Sequence, residues 1–253
     1  VAMFDYLGFK AQLEKKGTTG LYQLYNNGLY PIILESAALK TKTVQVEGKG
    51  YLVPVFGPHS VEYRIFSDTV LFLAIGHSFE DFFRIVSASH SFLCSGFGMT
   101  MPLRGAIGYG DIVWDNKSIL VGRAIVDAYL GEAAQVWSGC ALTPVCQEFA
   151  EEKGYIDLYQ KVLERAAEQE KDEAAKDNYR SAKRRIVRYE IPVKGNPKET
   201  PVVSPTRTGY ALDWTLNCDC ACESAFGETS DPHAQTIIKN TMEFEKWARS
   251  KNR

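Results

Sequence analysis

Asp5 and Asp68 are the residues whose types and settings could do chemistry. Asp5 closes a short apolar run from Val1 to Phe4 and is followed by Tyr6-Leu7-Gly8-Phe9 and a helical pattern. Asp68 sits in the Ser67-Asp68 turn between the apolar runs of 61–75. Carboxylates at the ends of adjacent strands could hold a pair of divalent ions. Mg²⁺ and Mn²⁺ prefer such oxygen ligands and complete their shells with substrate phosphates. One ion would activate an attacking hydroxyl and the other would stabilise a leaving group. Just past Asp5, a helix start presents free N–H groups to phosphate, and Gly8 lets a ligand approach the backbone. Taken singly, Asp5 is also a good helix N-cap, and Asp68 an ordinary turn residue. Their combination is what points to phosphoryl chemistry.

The elements that must position these acids follow from periodicity and turn signals. Residues 1–5 read as a buried strand, and 7–16 as a helix with Phe9 and Leu13 on one face, broken by Gly17 and Gly20. Helix resumes over 21–42, divided at Pro31, and 43–56 reads as a loop or irregular hairpin. The segment 61–75 is the clearest β-hairpin. Residues 78–97 form an amphipathic helix on which His90 reads as a satisfied core histidine. A Gly-rich strand over 103–113 comes next, then a helix over 120–137 with Ile125, Val126, Tyr129 and Ala133 as its apolar stripe. A further helix covers 142–152. The charge-dense stretch 161–190 reads as a long solvated helix. A Pro-rich loop over 192–209, a strand over 210–222 and a helix over 231–250 complete the chain. Hairpin-linked strands separated by crossover helices predict an α+β sandwich, its mixed, mainly antiparallel sheet covered by helices. The chain reads as one domain, 1–253, with a charged helical and Pro-rich insertion at about 155–209.

Composition removes several classes of function. The 29 basic and 31 acidic residues give a net charge of -2, so a general nucleic-acid binder is not expected. The longest aliphatic and aromatic run, Val70 to Ile75, is far below the ~20 residues a bilayer requires. Asp5, Lys10, Glu14 and Lys15 interrupt any signal-peptide core. The cysteines are therefore read as reduced thiols in a cytoplasmic protein. There is no Gly-Lys-Ser/Thr phosphate loop, and Gly105, Gly108 and Gly110 lack the helix a dinucleotide fingerprint needs. Cys218, Cys220 and Cys222 with His233 could bind zinc, but their spacing is not the usual one. The cluster Lys183-Arg184-Arg185-Arg188 reads as part of a solvated helix.

Four segments together resemble class III nucleotidyl cyclases. Phe4-Asp5-Tyr6-Leu7-Gly8-Phe9 is similar to their first metal motif, and Phe66-Ser67-Asp68 to their second metal aspartate. Arg104-Gly105-Ala106-Ile107-Gly108-Tyr109-Gly110 resembles their arginine-x-glycine-isoleucine strand, and Gly122 to Ala134 the helix that carries their dimer-partner residues. The resemblance covers 1–137, and its wording is nearer to the pyrimidine cyclases of Pycsar anti-phage defence systems than to adenylyl cyclases. It implies a cyclase-like sandwich in which Asp5, Asp68 and the Tyr6 carbonyl hold two Mn²⁺ or Mg²⁺ ions per site. It implies that the N–H groups of Leu7, Gly8 and Phe9 cradle the triphosphate. It also implies a head-to-tail homodimer with sites at the interface, and a separate downstream protein that senses the cyclic nucleotide.

Departures from the adenylyl pattern sharpen the expectation. Arg64 stands four residues before Asp68, where purine-selective members place a base-reading residue. An arginine supplies only donors. Uracil offers two carbonyl acceptors, whereas the N4 of cytosine is a donor. UTP is the expected substrate and cyclic UMP the product, with a cytidylate cyclase as the alternative and adenylyl or guanylyl activity behind it. Tyr51 and Tyr63 could narrow the pocket. The partner-helix asparagine and arginine of adenylyl members fall at Val126 and Leu130, which can bind neither ribose nor phosphate. Arg123, or else Arg104, is then the expected transition-state cation. Asp127 and Glu132 read as solvated helix acids, with hydrogen bonding to the ribose or base as the alternative. The missing arginine at 130 also motivates a different class of reading, a silent nucleotide-binding module.

Overall fold

The computed structural model describes residues 1–46, 49–54, 56–115, 119–195, 206–217, 225–226 and 229–251. Its centre is a seven-stranded sheet. β1 (Ala2–Tyr6) is flanked on one side by β5 (Thr69–Leu73) and β4 (Glu62–Phe66), both antiparallel to their neighbour. On the other side lie β6 (Leu103–Ile107) and β9 (Gly139–Leu142), followed by β11 (Thr206–Leu212) and β10 (Ile186–Pro192). Among the described strand pairs only β6–β9 is parallel. The fold is thus α+β with a mainly antiparallel sheet. Its first half follows a β-α-β-β-α-β path. The crossover from β1 passes through α1 (Phe9–Leu24) and α2 (Tyr30–Ala38), and that from β5 to β6 through α3 (Phe79–Gly98).

Alternation along β1 divides the two faces. Phe4 packs edge-on against Phe72 and against Phe92 of α3, with the Phe4–Phe92 ring centres 5.2 Å apart. Gly105 opposite Phe4 is required, because a Cβ there would lie 2.4 Å from the Phe4 ring. The other face, bearing Met3 and Asp5, is covered by α4 (Arg123–Ala134), which runs against β1, β6 and β9. α3 starts from a capping box in which Ser78 and Asp81 bond each other's main chain. His90 is a neutral core residue. Its Nε2 donates to the Asp213 carbonyl at 2.9 Å, and burial lowers its pKa to about 3.

Several expectations need correction. α1 kinks at Gly17, whose φ is 66°, while Gly20 stays helical. A widened π-helical turn, Tyr25–Leu29, precedes α2. The stretch 43–56 contains a regular hairpin of β2 (Thr41–Val46) and β3 (Lys49–Pro54). The Gly-rich strand stops at Ile107. Gly110, at φ 149°, lets the chain leave for a separate hairpin of β7 (Ile112–Trp114) and β8 (Leu120–Gly122).

On α4 the inward side is Ala124, Ala128 and Glu132, whereas Val126 and Tyr129 of the expected stripe are exposed. Close packing explains the inversion. A Cβ on Gly108 would sit 2.7 Å from the α4 main chain, so only the small side of the helix fits inward.

The stretch 161–190 is not one helix. α6 (Tyr155–Gln169) and α7 (Glu173–Ala182) pack on each other, and Asp172 caps α7 by accepting from the Ala175 N–H at 2.7 Å. The β-branched and aromatic run from Ile186 then pairs with β11 and extends the central sheet. α5 (Pro144–Glu152) and a C-terminal helix, α8 (Pro232–Lys251), match their expected positions. No described helix is long and apolar enough to cross a membrane.

Candidate active site

Asp5 lies near the C-terminal end of β1, directly opposite Arg104 on β6 and Thr69 on β5. Directly opposed residues share a face, so Asp5 and Arg104 meet there, the guanidinium Nη2 3.8 Å from the carboxylate. Arg104 is held from behind. Its Nε donates to the Glu132 carboxylate and its Nη1 to the Gln135 carbonyl at 3.3 Å. The Arg104 and Glu132 side chains are 11% and 6% exposed. Gln135 locks the end of α4 onto β6 by donating to the Gly105 carbonyl at 2.8 Å, while its own oxygen accepts from Trp137.

Asp68 follows Ser67, at φ 55°, in the β4–β5 turn. The Tyr6 N–H donates to the Asp68 carbonyl at 3.1 Å. In a strand the N–H and C=O of one residue face the same neighbour, so the Tyr6 carbonyl also faces the Asp68 turn. Burial pushes the Asp5 carboxyl up to about 7, with the charges of Glu132 and then Asp68 adding to it and Arg104 opposing. The acids therefore crowd one another. Arg104, already paired with Glu132, does not neutralise them.

Among the described residues no group of three or more His, Cys, Asp or Glu side chains is arranged to hold a metal. The centre offers instead two carboxylates and a main-chain carbonyl. Those hard oxygens, together with uncompensated negative charge, fit Mg²⁺ or Mn²⁺ with the remaining ligands supplied by phosphate and water.

Gly8, at φ 88°, caps α1 in a left-handed conformation that favours glycine. The N–H groups of Gly8 and Phe9 have no partner among the described residues. The Leu7 N–H does not join them, because it donates to the Pro102 carbonyl at 3.0 Å. A cavity of about 840 Å³ opens beside this turn, with Gly8, Gln12, Lys15, Arg104 and His233 among its lining residues.

Arg64 projects from β4 on the Asp5 face, in the row Arg64–Leu71–Met3. Its guanidinium lies 4.3 Å from the ring centre of Trp114 on β7, and its Nη1 donates to the Tyr63 carbonyl at 2.6 Å. Tyr63 faces the other side of the sheet, where its hydroxyl is 3.3 Å from that of Tyr30. It therefore does not narrow a pocket at Arg64.

Arg123 is not brought to Asp5 within one chain. It opens α4 beside Gly110, close to the end of the sheet where the Gly108 N–H bonds the Val1 carbonyl. Glu132, by the acids, lies nine residues along the same helix, about 13 Å away. Val126, Tyr129 and Leu130 form an exposed apolar face on α4, continued by Val113, Ile119 and Val121 of the β7–β8 segment.

Sequence reasoning misjudged Glu132 and Asp127, and missed Gln135. Glu132 is buried on Arg104. Asp127 accepts from Thr143 Oγ1 and from the Tyr109 N–H. The available signal was Ala124-Ala128-Glu132 at intervals of four, a narrow inward face that ends in an acid. The Tyr51 side chain and Cys218, Cys220 and Cys222 lie outside the described residues.

Compared with protein-family models the chain matches none, and comparison with curated protein sequences gives no match.

Proposed function

We propose that the protein is a metal-dependent nucleotidyl cyclase that converts UTP to 3′,5′-cyclic UMP and pyrophosphate. The observation that carries this reading is the convergence of Asp5, Asp68 and Arg104 at one end of the sheet, beside a turn whose Gly8 and Phe9 N–H groups have no partner among the described residues. In the reaction the 3′-oxygen attacks the α-phosphorus and a new O–P bond forms. The bond from that phosphorus to the bridging oxygen breaks, pyrophosphate departs, and the hydroxyl proton passes to solvent. Two Mn²⁺ or Mg²⁺ ions, when bound, would lower the pKa of the attacking hydroxyl and offset phosphate charge.

Asp5, Asp68 and the Tyr6 carbonyl would hold those ions. The Gly8 and Phe9 N–H groups orient the phosphate chain. Arg104, fixed by Glu132 and Gln135, puts a cation next to the acids, where negative charge develops. Arg64 donates to the uracil carbonyls, with Trp114 limiting its swing. Arg123 acts across a head-to-tail homodimer built on the exposed face of α4 and the β7–β8 segment. The site would then be complete only when two chains meet. We place the enzyme in the cytoplasm, its product an antiviral second messenger read by a separate effector.

A second reading, nucleotide binding without turnover, is favoured by the distance of Arg123 from Asp5 and by the uncharged Leu130. Incubation with equimolar ATP, GTP, CTP and UTP plus Mn²⁺, with products resolved by mass, separates these readings. Cyclic UMP as the main product supports the proposal, cyclic CMP moves the base preference, and bound but unconverted nucleotide supports the silent module.

A further inference from the structure

Tyr25 opens the π-helical turn between α1 and α2. Such widened turns recur at functional sites. Its ring packs edge-on against Tyr6 and Phe9, at 6.4 Å and 6.1 Å between centres. Those two residues bracket the Leu7-Gly8 turn, so the phenol lies beneath the segment that joins the acids to α1. The Tyr25 hydroxyl is buried and has no hydrogen-bond partner among the described residues. A buried hydroxyl left unbonded costs free energy and calls for an explanation. The nearby acceptors are acids. Burial first, and then the charges of Asp68, Tyr6 and Asp5, hold the phenol proton well above its ordinary range. A phenol O–H can donate, and the ring packs on Tyr6, whose N–H bonds the Asp68 carbonyl at 3.1 Å, so the hydroxyl sits next to the Asp68 turn.

We propose that Tyr25 is the positioning residue for Asp68, donating its O–H to the outer carboxylate oxygen when the inner oxygen binds a divalent ion. The proposal rests on the reading of Asp5 and Asp68 as metal ligands. Carboxylates that bind metals are commonly fixed by such a second bond, and its loss typically lowers metal affinity about 10–100-fold. Packing between Tyr6 and Phe9 keeps the ring in place. A purely structural Tyr25 makes the opposite forecast, because removing an unbonded buried oxygen relieves a cost and leaves metal binding alone.

The test is Mn²⁺ binding by calorimetry on the full-length wild type, Tyr25→Phe and Asp68→Asn, with metal-free melting temperatures measured in parallel. The expected result is Mn²⁺ binding about 10–100-fold weaker in Tyr25→Phe, with a metal-free melting temperature equal to or above wild type. Mn²⁺ affinity within twofold of wild type in Tyr25→Phe, alongside lost binding in Asp68→Asn, overturns the role of Tyr25 and leaves the carboxylate site standing. A wild type that binds no Mn²⁺, or an Asp68→Asn variant that binds it normally, overturns the metal reading and the inference with it.

Discussion

Asp5 and Arg104 are direct partners across β1 and β6, and Glu132 of α4 grips the same guanidinium from its other side. One arginine therefore ties the putting-together of three elements to the charge of the site. The arrangement leaves Asp5 under-neutralised, and a divalent ion would relieve that imbalance.

The contribution of Asp5 to metal-free stability should fall as pH rises from about 4 to about 7, while that of buried, neutral His90 runs the other way between about 3 and 6.5. Asp5 titrates at an ordinary 3.8 in the unfolded chain and at about 7 in the fold. Between those values the folded state binds more protons, so raising the pH favours unfolding, and the effect levels off above 7. The difference in stability between wild type and Asp5→Asn should carry the Asp5 slope, since His90 is common to both, and Asp5→Asn should be the more stable protein at pH 8. Mn²⁺ at 100 times its Kd should return about 2.7 kcal/mol, roughly 5–10 °C in Tm, to the wild type alone. Thermal melts across pH, with and without Mn²⁺, check both statements.

Glu132→Ala should destabilise the fold by about 1–3 kcal/mol, because the Arg104 Nε loses its acceptor while the guanidinium keeps only the Gln135 carbonyl and Asp5. Glu132→Gln should cost less, since its amide oxygen can still accept from Arg104. Urea unfolding gives the ranking, and an alanine variant as stable as wild type would contradict the pairing.

Leu130→Asp should leave a folded monomer. It puts a charge on the exposed apolar face of α4 without touching the inward side of Ala124, Ala128 and Glu132. Sedimentation should show the dimer lost, and turnover should be lost with it. Mixing Asp5→Ala with Arg123→Ala should restore activity, because one of the two mixed sites would keep both residues. Failure of the mixture to recover would remove Arg123 from a shared site.

Arg64→Ala should raise the KM for UTP more than it lowers kcat and should reduce preference over CTP, by about tenfold for a lost pair of hydrogen bonds. Steady-state kinetics with both nucleotides reads this directly. An unchanged UTP/CTP ratio would assign Arg64 to packing on Trp114.

Much of the frame was legible in the chain. Asp5 at a strand end, Asp68 in a hairpin turn and the glycines facing Phe4 and α4 all carry local signals, because turn chemistry and alternation act over a few residues. The buried face of α4 was not legible. Hydropathy favours Val126 and Tyr129 for the interior, yet close approach over Gly108 admits only Ala124 and Ala128. Glu132 likewise reads as solvated until Arg104, distant in sequence, arrives beside it. The segment from Ile186 was hidden by charge density, although its β-branched run was enough to make a strand once β11 stood next to it. Tyr25 gave no sign at all, since its importance lies in a hydroxyl left unbonded next to acids from two other elements.

The most direct measurement is cyclic UMP formation from UTP and Mn²⁺ by the wild type beside Asp68→Ala. The account predicts cyclic UMP and pyrophosphate in equal amounts from the wild type and neither from the folded variant. Equal product from both proteins, or none from a folded, Mn²⁺-loaded wild-type dimer, would contradict it.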